Sequence, residues 1–169
     1  VKKLIKKRGK DLDINAVSDQ LLHFNAVSKD GGEGHECVGT ALYAASMLGH
    51  DGIVTVLLKS EGIDINKPSN TGSSPLWMAS QNGHVNVVKL LLVGEGIEVN
   101  TTSENGTSAL FIASDRGHIG IVKLLLGADG IDINKPDNTG TSPLYWASQN
   151  GKVDIVNLLL NAEGIEVNR

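Results

Sequence analysis

A single cysteine, Cys37, stands in the 169 residues. One thiol closes no disulfide within its own chain, so a reducing compartment is the expected setting. Aromatics make up only 4% of the residues. With so few large rings, many short elements joined by tight turns are expected rather than one large core. No apolar run approaches the ~18–20 residues that a membrane-crossing helix needs. No leader pattern opens the chain, which begins at Val1. These absences predict an intracellular, cytoplasmic protein with no membrane partner, whose Asn-x-Thr triplets at Asn100 and Asn105 stay unglycosylated. Positive charge is also scarce over most of the length. Lys2, Lys3, Lys6, Lys7, Arg8 and Lys10 fall in the first ten residues, leaving 9 basic and 19 acidic residues behind them, a net of −10. So acidic a body excludes general nucleic-acid binding, which needs clustered Lys and Arg against phosphate. The cationic start reads as a solvated helix end ahead of a localisation or lipid-surface patch.

Glycine, by contrast, is plentiful at 20 residues, and its spacing is regular. The string G-I-[DE]-[IV]-N begins at Gly62, Gly96, Gly130 and Gly164, each step 34 residues. Between those marks each unit reads G-x-S-x-L-x-x-A-S-x-x-G. An apolar block follows, "VNVVKLLL" from Val85, "IGIVKLLL" from Ile119 and "VDIVNLLL" from Val153. An earlier unit from Gly39 fits the same frame. A fixed period of this kind marks a repeat architecture. Gly62–Glu95 matches Gly130–Glu163 at 24 of 34 positions but Gly96–Asp129 at only 16, so the copying unit was two repeats, 68 residues long.

Each unit predicts two helices and a projection. Ser74-Pro75 and Ser142-Pro143 start a first helix: the hydroxyl accepts from an orphan N–H, and proline at the first helical position loses no needed bond. Thr40-Ala41 and Ser108-Ala109 keep the cap without the proline. About two turns later Gly83, Gly117 or Gly151 closes that helix. The apolar block forms a second helix. Thirteen residues such as "GIEVNTTSENGTS" then read as an extended, hairpin-like projection. Neither helix has a globule of its own, so units must stack to bury their apolar faces.

A tetratricopeptide array also has a 34-residue helix pair, but its Trp-Leu-Gly-Tyr spacing is absent and its helices lack a Gly-rich projection between them. The residues instead resemble the ankyrin-repeat family. That family's G-x-T-P-L-H-x-A appears as "GSSPLWMA", "GTSALFIA" and "GTSPLYWA", its G-H turn at Gly49-His50, Gly83-His84 and Gly117-His118, and its V-x-L-L run follows. Two features depart from the family. The usual His slot is aromatic, held by Tyr43, Trp77, Phe111 and Tyr145, and the link after the second helix is one residue longer.

The resemblance implies an all-α fold with short β-hairpin projections, a solenoid of stacked helix–turn–helix units. One domain is expected over 1–169. It divides into the end of a repeat (1–10), a repeat with an inserted loop at about 16–38 (11–61), three regular repeats (62–95, 96–129, 130–163) and the start of another (164–169). The last second helix, with Val153, Ile155, Val156, Leu158, Leu159 and Leu160, lacks the polar face of a capping repeat. The expectation is a segment of a longer array.

No convergent catalytic set is found and no cofactor is implied. His50, His84 and His118 lie one unit apart; packed helices are ~8–10 Å apart and metal–imidazole bonds ~2.0–2.1 Å, so they form no metal site. Each is expected to bond a nearby loop carbonyl, with Lys152 in the fourth slot. His35 and Cys37, with His23 nearby, fall short of a four-ligand zinc set. No G-x-x-x-x-G-K loop occurs.

The resemblance implies a non-enzymatic, monomeric scaffold that binds a protein or peptide through a concave surface of projection tips and first helices. The tips are Lys67, Asn70 and Ser73; Thr101, Glu104 and Thr107; and Lys135, Asn138 and Thr141. The helix positions are Met47 and Leu48, Gln81 and Asn82, Asp115 and Arg116, and Gln149 and Asn150. Trp77, Tyr145 and Trp146 are candidate aromatic anchors, with inter-unit packing the competing role for Tyr145 and core filling for Trp146. A targeting or regulatory arm of a larger enzyme is the alternative, and a metal- or thiol-dependent role of the insert a weaker one.

Overall fold

Residues 39–168 are described by the structure, a computed structural model. Positions 1–38, which carry the cationic start, the insert and the His23–His35–Cys37 cluster, lie outside them, as does Arg169. Among the described residues four helix pairs follow one another. They are α1 (Ala41–Met47) and α2 (Asp51–Leu57), α3 (Pro75–Asn82) and α4 (Val85–Leu92), α5 (Ala109–Arg116) and α6 (Ile119–Leu126), α7 (Pro143–Gln149) and α8 (Val153–Leu160).

The first helix of every pair starts as its sequence dictates. Thr40, Ser74, Ser108 and Ser142 stand in extended backbone, and their hydroxyls accept from the amides of Tyr43, Trp77, Phe111 and Tyr145. Each cap fills one of the donors that a helix start leaves open. The helix ends are equally local. Gly83 and Gly117 take φ of 79° and 78°, which lets the amides of His84 and His118 reach back to Ala79 and Ala113 at 3.0 and 2.9 Å. That closure reverses the chain into the second helix within three residues. The second helices have no side-chain cap of their own; His50, His84, His118 and Lys152 occupy the capping position without such a bond.

First helices pack on first helices and second on second, in chain order, and each pair also packs internally. The core is therefore a strip between two rows. Leu42, Leu76, Leu110 and Leu144 repeat along it from the first row, and Leu57, Leu91, Leu125 and Leu159 from the second. Ala45, Ala79, Ala113 and Ala147 sit between them, where a small side chain lets the rows approach. Leu110 and Leu125, in the middle, are fully buried. At the far end Val153 and Leu160 remain exposed.

The projections differ from the hairpins expected. Among the described residues no strand occurs, and one isolated antiparallel bridge joins Thr102 and Ser108. Each tip is a tight turn closed by a pair of backbone bonds. The amides of Ser69, Ser103 and Asp137 donate to Ser73, Thr107 and Thr141 O, each 3.0 Å, and the amides of Gly72, Gly106 and Gly140 donate back to Ser69, Ser103 and Asp137 O at 3.1, 2.9 and 3.0 Å. Five residues are too few to extend that pair into a ladder. The Ile-x-Val alternation still has a use: Ile65, Val99 and Ile133 point inward and are buried.

What fixes one projection to the next is asparagine. Asn66 donates through Nδ2 to Gly96 O at 2.7 Å and accepts through Oδ1 from the Glu98 amide at 2.9 Å. Asn100 does the same to Gly130 and Asp132, and Asn134 to Gly164 and Glu166. Every carboxamide thus satisfies one donor and one acceptor of the following unit's main chain, roughly thirty residues away.

Candidate functional site

The first helices carry their expected contact residues at their C-terminal ends, and the capping geometry is what puts them there. A hydroxyl cap sets where each helix begins, and the left-handed glycine sets where it stops two turns later. The residues just before each glycine therefore fall in register from unit to unit. Cross-links confirm the row. Asn82 Nδ2 donates to Met47 O at 3.0 Å, and the indole N–H of Trp146 donates to the Asp115 carboxylate.

Histidines hold the same row from behind. His84 Nε2 meets Met47 O at 2.9 Å and His118 Nε2 meets Gln81 O at 3.0 Å. The acceptor is thus in the last turn of the preceding first helix, not in a loop. Each ring also lies over a glycine, His84 on Gly49 and His118 on Gly83, where a Cβ would stand within about 3 Å of it. Lys152 also reaches toward Gly117, but its Nζ would stand 3.8 Å from a Cβ there, an ordinary contact. His84 and His118 are joints of the stack, each tied through Nε2 to the preceding unit's first helix. Among the described residues no group of three His, Cys, Asp or Glu side chains could hold a metal ion.

Leu48, Asn82, Arg116, Gln149 and Asn150 are exposed at the helix ends, with Met47, Gln81 and Asp115 half-buried. Arg116 Nε lies 3.8 Å from Asp115 Oδ2, a surface pair of little energetic weight. At the tips Lys67, Asn70, Glu104 and Asn138 are exposed and Thr101, Thr107, Lys135 and Thr141 half-buried.

Two expected contact residues are not available. Ser73 is only 4% exposed, because the turn that it closes onto Ser69 folds its side chain under the tip. Trp77 is 9% exposed, and its indole donates to Thr107 of the next unit at 3.2 Å. It packs between units and offers no anchor. Asn138 is exposed yet engaged, donating to Glu104 O at 2.8 Å and, through its amide, to Asn105 O at 3.1 Å.

Tyr145 is far more exposed than its counterparts in the other units. Tyr43, Trp77 and Phe111 occupy the same slot and are nearly covered, whereas Tyr145 is 57% exposed. These rings lean on the unit that follows, as Trp77 does on Thr107 and Phe111 does on Trp146, with centroids 6.0 Å apart. Tyr145 belongs to the last described pair and has no such neighbour there. Trp146 is half-buried: one face fills space against Phe111 while its N–H reaches Asp115. Tyr145, Trp146, Asp115 and Arg116 make the most aromatic part of the row.

Asp137 dominates the electrostatics of the fourth tip. Burial alone would raise its pKa, but bonds from Thr139 Oγ1 and from the amides of Thr141 and Thr139 hold the carboxyl below the usual aspartate range. A groove of about 560 Å³ lies between α6 and α8 over Leu126, Gly127, Leu158 and Ala162. It is open, and its lining includes no tip residue.

Sequence reasoning missed the Asn66, Asn100 and Asn134 bridges. Their signal was present as the invariant last letter of G-I-[DE]-[IV]-N. A family model described as ankyrin repeats (3 copies) matches residues 1–103 and 91–169. No curated protein matches the chain.

Proposed function

The chain belongs to the ankyrin-repeat family, and on that premise we propose that it binds a partner protein or peptide along the row of first helices and tips. Ankyrin repeats generally serve as protein–protein interaction modules, typically without enzymatic activity. Among the described residues no helix is long and apolar enough to cross a membrane. One observation supports the reading most. The capping hydroxyl, the leucine and the alanine stay fixed from unit to unit, while the pair before each glycine changes from Met47-Leu48 to Gln81-Asn82 to Asp115-Arg116 to Gln149-Asn150. Scaffold positions repeat in every unit, while the pair on this row takes three forms in four units, Gln-Asn recurring only in the two near-identical units, as a contact surface adapting to a partner would.

Affinity capture with the whole chain tests it, comparing Arg116→Ala/Tyr145→Ala/Gln149→Ala with Lys123→Ala/Asn157→Ala on the second-helix row. All five side chains are exposed, so the fold is expected to survive. Loss of a captured protein with the first set and retention with the second is expected; the opposite pattern would place binding on the second-helix row.

A further inference from the structure

We propose that Asn105 is a site of spontaneous, one-way deamidation that rewrites the third tip. The chain contains three Asn-Gly steps, Asn82-Gly83, Asn105-Gly106 and Asn150-Gly151. The chemistry needs the peptide nitrogen after an asparagine to reach that asparagine's Cγ, and glycine hinders the approach least because it carries no side chain. In the first step the Gly106 nitrogen forms a bond to Asn105 Cγ and ammonia leaves, giving a cyclic imide. Water then opens the ring at either carbonyl. One opening gives aspartate; the other gives isoaspartate, with the main chain now running through the former side chain. Water is the only co-reactant.

The structure separates the three candidates. Asn82 and Asn150 lie at helix ends with their carboxamides engaged, Asn82 on Met47 O and Asn150 on Trp146 O, each at 3.0 Å. Bringing either Cγ onto the next nitrogen means dismantling a helix closure that the glycine and the following amide complete. Asn105 is exposed, and its side chain has no hydrogen-bond partner among the described residues. The Gly106 amide does donate to Ser103 O at 2.9 Å, so the turn has to open before attack. Two backbone bonds close this five-residue tip, Ser103 N–H to Thr107 O and Gly106 N–H to Ser103 O, and Asn138 N–H rests on Asn105 O from the next unit. Opening such an exposed turn costs less than unravelling a packed helix end. Units two and four have Thr71-Gly72 and Thr139-Gly140 at this place, so the lability belongs to the third tip alone.

The product would differ in charge and in shape. A neutral amide beside Glu104 becomes a carboxylate. On the isoaspartate branch the main chain gains a methylene where Asn105 O accepts the Asn138 amide and where Asn138 fills the space above Gly106. The contact between the third and fourth tips is then lost. Any consequence for partner capture rests on the function proposed above, but the chemistry is read by mass and so stands or fails separately.

The test ages the full chain at mildly alkaline pH in ¹⁸O-labelled water and maps its peptides by mass spectrometry, which marks conversions made before digestion. The expected result is label in the Asn105 peptide, as aspartate and isoaspartate, accumulating several-fold faster than in the Asn82 and Asn150 peptides. In urea the three rates converge, and Asn105→Gln removes the fast acidic species. An Asn105 peptide that stays intact in the folded chain, or converts no faster than the other two, overturns the proposal.

Discussion

Replacing Asn100 with alanine removes one complete joint from the middle of the array. Two bonds disappear, Nδ2 to Gly130 O at 2.7 Å and the Asp132 amide to Oδ1 at 2.9 Å. A typical intramolecular hydrogen bond contributes a net ~0.5–1.5 kcal/mol, so the pair is worth about 1–3 kcal/mol. Both stranded main-chain groups stay open to solvent, and water can take over part of their bonding. The lower half, about 1–2 kcal/mol, is therefore expected. For a chain of this size each kcal/mol moves Tm by roughly 2–4 °C, giving a fall of about 2–8 °C. Urea unfolding followed by circular dichroism measures the free energy directly. Repeat arrays hold together through nearest-neighbour terms. A weakened central joint should therefore also broaden the transition and lower its apparent slope. Asn134→Ala should cost at least as much, since Asn134 is only 8% exposed and its truncation also removes packed side-chain atoms. A change in Asn100→Ala within about 0.5 kcal/mol, the range of ordinary surface substitutions, with unaltered slope, would refute the idea that these bridges couple the units.

Two further outcomes follow from the tips and turns. Gly83→Ala should destabilise by more than the ~1–2 kcal/mol left-handed penalty of an alanine, because φ is 79° and the His118 ring lies against the new methyl; Gly151→Ala, with nothing within 4 Å, should pay that penalty alone, and thermal melts of the two variants give the comparison. Asp137 has a folded pKa below its unfolded value of about 3.9, so its contribution is complete above that pH and is lost as pH falls through the folded value. Amide shifts of Thr139 and Thr141 in an acid titration should move together in that window, and Asp137→Asn should abolish the response.

Much of the fold was legible because its punctuation is local. A hydroxyl three residues before the amide it caps, or a glycine at a helix end, needs no knowledge of the rest of the chain. The joints were less legible for the opposite reason. Asn66 and His84 bind backbone atoms some thirty residues away or more, and a backbone atom leaves no trace in the sequence it belongs to. The same slot also gave opposite results in different units. Trp77 and Tyr145 are interchangeable as letters, but one has a following unit to cover it among the described residues and the other does not. Ser73 was misjudged because a projection drawn as a long hairpin exposes its stem, whereas a five-residue turn tucks that residue beneath itself.

The Asn66, Asn100 and Asn134 bridges bear on how such a chain can grow. Each one grips a peptide group, a chemical feature that every neighbour possesses regardless of its side chains. His84 and His118 do likewise. A connector of this kind works like a standard coupling: a newly copied block can be inserted beside any existing one without a matched set of compensating substitutions. Lengthening by duplication is then tolerated at once, and the accessible positions are free to diverge afterwards. The near-identity of Gly62–Glu95 and Gly130–Glu163, separated by a unit that differs from both, is the kind of record that such a coupling leaves.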